Sequence, residues 1–108
     1  MGRRDLLGEF EQIVLLAILR IGENAYGVPI RSEIEKRTKR GISIGALYST
    51  LDRLENKGFV SSSFSGPRPE RGGRARRYFR VEARGIEALE RTREALITMW
   101  DGVDLRKA

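Results

Sequence analysis

Apolar residues recur along the chain first at helical spacing, then at strand-like spacing, then at helical spacing again. Residues 8–21 carry Phe10, Ile13, Val14, Leu16, Ala17, Leu19 and Ile21, with Glu9, Glu11, Gln12 and Arg20 as the clear polar positions. That pattern predicts a helix apolar over most of its circumference, and so buried on more than one side. Those sides belong either to the domain's own core or to that core plus a second subunit. Gly22 ends the helix. A second helix starts near residues 25–27, because Pro29 is tolerated only in a first turn. Ile30 and Ile34 form its buried stripe, while Arg31, Glu33, Glu35, Lys36 and Arg37 face water. Lys39-Arg40-Gly41 breaks the pattern, and Ile42 is expected to pair as a one-residue strand.

Residues 43–58 predict the helix around which the rest is organised. Ser43 is a good N-cap, since its hydroxyl can accept from a first-turn N–H. Gly58 is a good stop, since glycine enters the left-handed region freely. Leu47, Leu51 and Leu54 fall at i, i+4 and i+7 and face a core. Ile44, Gly45, Tyr48, Ser49, Asp52 and Arg53 lie on the other face. Residues 59–64 and 76–81 then read as two strands, separated by Gly/Pro turn chemistry. The result is a hairpin with a long tip, a wing. Residues 83–102 predict a last helix. Ile86, Leu89, Arg93, Leu96, Trp100 and Val103 recur at 3-4-3-4-3 spacing along one stripe, with Ala88, Thr92, Ala95 and Met99 beside it. A stripe that wide on a terminal helix has two readings: a partner subunit, which is the economical one, or packing back on its own domain.

The expected fold is therefore mainly α with a small β-hairpin. It is a winged helix-turn-helix, three helices plus a two-stranded wing, followed by one long C-terminal dimerisation helix. Residues 1–82 form the DNA-binding part and residues 83–108 the dimerisation helix and a short tail, as one compact unit.

Composition sharpens this outline. The chain has 108 residues, no Cys and no His. That removes disulfides, Cys/His metal sites and imidazole or thiol catalysis, so neither an enzyme nor a metal or other cofactor is expected. The lack of Cys fits a reducing, cytoplasmic setting. The longest apolar run, residues 13–19, is far short of the ~20 residues needed to span a bilayer, so no membrane association is expected. Net charge is +6, which implies an anionic partner. Most of it sits in residues 66–80, where Arg68, Arg71, Arg74, Arg76, Arg77 and Arg80 face Glu70 alone.

The candidate interface with double-stranded DNA combines two groups of residues. On the third helix, Gly45 leaves room for backbone approach. Ser43, Tyr48 and Ser49 can donate to phosphates or base edges, and Arg53 can reach a phosphate or a guanine. On the wing, Arg68, Arg71, Arg74, Arg76 and Arg77 suit phosphates or a narrow minor groove. Tyr48 has a second reading, a half-buried ring between helix and wing. Two other functions fit the same residues: a winged helix binding structured RNA or DNA without sequence preference, and a protein-interaction module whose basic wing meets an acidic partner.

Leu47-Tyr48-Ser49-Thr50-Leu51, then Arg53-Leu54-Glu55 and Gly58, resembles the LYPxLxRLExxGLI signature of the PadR family of transcriptional regulators. Ala25-Tyr26-Gly27-Val28-Pro29-Ile30 is similar to that family's HGYEI helix start. Arg77-Tyr78-Phe79-Arg80-Val81 and Gly85 resemble its strand-to-helix junction. Ser49 replaces the usual proline, Glu82 replaces a threonine that caps the last helix, and the wing tip is longer and richer in arginine. The resemblance implies a homodimer on a pseudo-palindromic operator, usually a repressor, in the branch with a single C-terminal helix. The dimer would be built on the first and last helices, here through Phe10, Val14, Leu89, Leu96 and Trp100. Some members of that branch bind planar or aromatic compounds near a tryptophan on the last helix. Trp100 is accordingly either part of an effector pocket or a plain interface anchor.

Overall fold

The computed structural model describes residues 6–65 and 76–107. Four helices and one hairpin follow in the expected order: α1 (Glu9–Ile21), α2 (Gly27–Thr38), α3 (Ile44–Asn56), β1 (Val60–Ser65), β2 (Arg76–Val81) and α4 (Ala83–Trp100). One-turn 3-10 segments lie at Gly22–Asn24 and Leu105–Lys107. The result is the winged helix-turn-helix fold.

Val14, Leu15 and Ile18 of α1 meet Ile30 and Ile34 of α2 and Leu47, Leu51 and Leu54 of α3 in one core, closed by Val60 and Phe79 of the hairpin and Ala88 of α4. The signals at the ends of α3 act as expected. The Ser43 hydroxyl accepts from the Ala46 N–H at 3.0 Å, and Gly58 takes φ +80°. The Phe59 N–H returns to the Leu54 carbonyl at 2.9 Å. That bond occupies Phe59, so β1 starts one residue later than the sequence pattern predicts. It then pairs antiparallel with β2, from Val60 opposite Val81 to Ser65 opposite Arg76. The hairpin is tied to the helices by the Phe79 N–H, which donates to the Ala25 carbonyl at 2.8 Å.

Ile42 is not paired as a strand. Its N–H donates to the Glu35 carboxylate at 3.1 Å and its side chain is buried, so the α2–α3 connection is held by a side chain rather than a ladder. The α4 N-cap residue, Glu82, makes no side-chain cap. Its carboxylate instead accepts from the Ser61 hydroxyl. Gly85, in the first turn of α4, lies against the Phe59 carbonyl so closely that a Cβ there would collide with that oxygen.

The two halves of α4 differ. Gly85, Ala88 and Thr92 are buried in the first part of the helix, and the Thr92 hydroxyl accepts from the Leu7 N–H at 3.0 Å. Beyond Thr92, Leu96, Ile97, Met99 and Trp100 are all exposed, Met99 by 73% and Trp100 by 57%. The expected interface residues separate accordingly. Leu96 and Trp100 lie on the open half, and Leu89 is partly buried against the core. Phe10 is partly buried, with the Arg40 guanidinium 5.2 Å from its ring. Val14 is a correction: it is 0% exposed within the single chain and has no surface to offer a second one. The exposed apolar residues of α1 are Leu16 and Leu19.

Candidate nucleic-acid interface

The face of α3 turned away from the core carries Gly45, Ser49, Asp52 and Asn56, all exposed, with nothing within 4 Å of the position a Gly45 side chain would occupy. Ser43 is exposed as well, and its hydroxyl oxygen is used in the cap. The helix N-terminus is therefore open, with Gly45 and Ala46 small and the exposed Ile44 beside them, and its free N–H groups favour an anionic polymer.

Tyr48 takes the second of its two readings. Its ring is partly buried, 6.3 Å from Phe79, and its hydroxyl lies against Gly27, where any Cβ would collide with it. Gly27 is thus the space that admits the tyrosine between α2, α3 and the hairpin.

Each side of α3 carries an ion-pair cluster. Towards α1, the Arg53 Nε donates to Glu11 Oε2 at 3.2 Å and the Lys57 Nζ to the same oxygen at 3.0 Å. Glu11 Oε1 accepts from the Gly8 N–H at 3.0 Å. Burial works to raise the Glu11 carboxyl, but the Gly8 N–H and the Lys57 and Arg53 side chains outweigh it and hold it below the ordinary carboxylate value. Towards the hairpin, Arg77 donates from Nη2 to Glu55 at 2.6 Å, from Nη1 to Asp52 at 3.2 Å and from Nε to the Ser62 hydroxyl at 3.2 Å. Ser62 in turn donates to Glu55 at 2.9 Å. Arg77 therefore does not stand free as a phosphate contact. All three of its nitrogens are committed to binding the wing to α3, and its side chain is 26% exposed.

Arg76 is exposed. Its guanidinium lies 4.4 Å from the Tyr26 ring centroid, and Tyr26 packs edge-on against Tyr78 at 5.4 Å. Stacking of this kind holds a cation in place at the root of the wing. The tip arginines Arg68, Arg71 and Arg74 lie outside the described residues. Near Trp100, Ile97, Thr98, Asp101 and Gly102 border a shallow, open hollow.

Sequence reasoning missed the roles of Glu11, Asp52, Glu55 and Lys57. Asp52 and Glu55 carried a signal, since two acids at i and i+3 on one helix face call for a cation across from them. Glu11 was legible only as a first-turn acid favoured by the helix dipole.

An open, small-residue face on the third helix, braced by a hairpin that carries arginines, defines a winged-helix DNA-binding protein. The Transcriptional regulator PadR-like family matches residues 15–91, and the chain belongs to it. A transcriptional regulator from Clostridium thermocellum is 25% identical, with a TM-score of 0.70 over 83% of this chain and 84% of its own. RosR of H. salinarum is 26% identical, with a TM-score of 0.67 over 94% and 84%. A PadR family transcription regulator from hypervirulent Clostridium difficile, 23% identical, shares the fold with a TM-score of 0.67 over 83% and 90%. No curated protein matches the chain. Among the described residues, no helix is long and apolar enough to cross a membrane. The protein is a DNA-binding transcriptional regulator of the PadR-like family.

Proposed function

We propose that this regulator is a homodimeric repressor of a pseudo-palindromic operator. In this reading α3 enters the major groove. Ser43, Gly45, Ser49 and Arg53 approach base edges and phosphates, and Tyr48 shapes the groove-facing surface from behind. The wing lays Arg76 and the tip arginines Arg68, Arg71 and Arg74 along the flanking backbone. Residues 83–108 supply the dimer contact through Leu96 and Trp100, with Leu89 and Phe10 at its edge. The observation that carries the reading is the pairing of an open α3 face with an unpartnered apolar half of α4. Two copies joined through that half would present two α3 helices, and half-sites about 34–36 Å apart would receive them.

Selection of bound duplexes from a random pool tests this directly. The expected product is an inverted repeat whose complex contains two chains by light scattering and whose affinity falls steeply with salt. Enrichment of no sequence, or of a single unrepeated half-site, defeats the proposal. Displacement of DNA by structured RNA would favour the RNA-binding alternative. Placing the selected duplex across a promoter then reads the sign of regulation, and lower transcription is expected. Tryptophan fluorescence, with Trp100 as the single indole, reports whether a planar aromatic effector binds there: quenching by the compound without dissociation of the dimer is the expected signature.

A further inference from the structure

The cations on the α1 side of α3 are oddly placed for a DNA-binding surface. Arg53 follows Ser49 by one turn along α3, and Lys57 follows Arg53 by another. Their side chains are 50% and 44% exposed, enough to reach a phosphate. Both are nevertheless paired to one carboxylate oxygen that is itself nearly buried. Glu11 as a residue is 7% exposed, and its other oxygen is fixed by the Gly8 N–H. If both cations turn to a phosphate backbone, Glu11 keeps the Gly8 N–H alone and water has to enter where the cations lay, so the exchange carries a cost that an unpaired surface cation does not.

An unpaired surface cation adds to binding of any duplex, whatever its sequence. A cation that must first leave a buried carboxylate adds far less. We propose that Glu11 is a charge gate on the recognition helix, a specificity-determining residue that withholds Arg53 and Lys57 from sequence-independent phosphate binding. It yields them only where a fitted operator supplies contacts enough to offset the exposed charge. The inference rests on α3 facing the duplex, as proposed above. It assigns a DNA-linked role to a residue on α1, outside both the helix and the wing.

The test is the salt dependence of binding to a random-sequence duplex, measured by fluorescence anisotropy. Glu11→Gln can keep the acceptor for Gly8 and loses the charge. It is expected to bind random duplex more tightly and to steepen the slope of log affinity against log salt by about one to two, one unit per released cation. Glu11→Asp, which keeps the charge, is expected to stay near the native slope. Glu23→Gln, the same charge change at an exposed turn residue, controls for net charge and is expected to steepen the slope by less than half as much. An unchanged or shallower slope for Glu11→Gln, or an equal change for Glu23→Gln, overturns the gate. Should Glu11→Gln fail to fold, Lys57→Gln in the otherwise native chain decides: a slope shallower by about 0.9 means that Lys57 already binds phosphate and overturns the proposal, while a change under half of that supports it. Native protein that binds no duplex at low salt defeats the DNA-facing reading itself. Native binding with an unaltered Glu11→Gln slope defeats the gate alone.

Discussion

The two flanks of α3 hold the same helix with opposite polarity. On the α1 side the helix contributes the cations, Arg53 and Lys57, and the scaffold contributes the anion, Glu11. On the wing side the helix contributes the anions, Asp52 and Glu55, and the wing contributes the cation, Arg77. The difference decides what each contact can do near DNA. Phosphates compete for the helix's cations, so the α1 flank can be exchanged. Phosphates repel the helix's anions, so the wing flank gains nothing by opening and acts as a brace. One arginine of the wing is thereby spent on geometry, and the proposed reading leaves the direct contacts to Arg76 and the arginines of residues 66–75.

The largest effect is expected from Arg77→Ala. It leaves Asp52 and Glu55 facing each other without a cation and unties the hairpin from α3. Loss of its charged hydrogen bonds is expected to cost about 2–3 kcal/mol of stability in chemical denaturation. Lysine at the same position is expected to recover less than half, because one ammonium cannot span three acceptors held in a fork. Full recovery by lysine would show that charge, not geometry, holds the wing.

A smaller effect is expected from Asp52→Asn. The Asp52 side chain is 59% exposed, and an exposed pair of this kind contributes roughly 0.5 kcal/mol. Stability should therefore hardly move, while affinity for random duplex rises as a negative charge leaves the open face. Weaker duplex binding would mean that Asp52 accepts from a base instead.

The smallest effect separates the flanks by pH. Glu11 is held below its ordinary value of 4.5 in the folded chain. A carboxyl lowered in the folded state binds its proton more readily when unfolded, so its stabilisation is complete above the unfolded value and is lost as pH falls through the folded one. Glu11→Gln should therefore flatten the acid limb of the stability curve below about pH 4.5. Superimposable limbs for the two proteins would place the acid sensitivity elsewhere.

The order of elements was legible because caps and periods are local. Ser43, Gly58 and the leucines of α3 lie within one helix and need no knowledge of the rest. Residues 76–81 read as a strand from their own aromatic and branched side chains, and β2 has those bounds. Arg77 was not legible as a brace. In the sequence it stands among other arginines, and its partners lie 25 and 22 residues upstream. Only the hairpin register, with Phe64 opposite Arg77, brings them together, and the length of the tip leaves that register open. Val14 was misplaced for a related reason. A helix apolar nearly all round does not declare which of its sides the core takes, and Leu16 and Leu19 rather than Val14 are the ones left outside.

Gly85 has a consequence for inheritance. Every amino-acid replacement of a glycine installs at least a Cβ, and at this position even the smallest one meets the Phe59 carbonyl, which is backbone and cannot swing aside. No missense change of this codon is conservative. Each would push the start of α4 off the end of β1 and so alter the angle at which the far half of α4 leaves the domain. The first turn of α4 therefore tolerates no side chain at this position, whatever the outer turns of the helix come to carry.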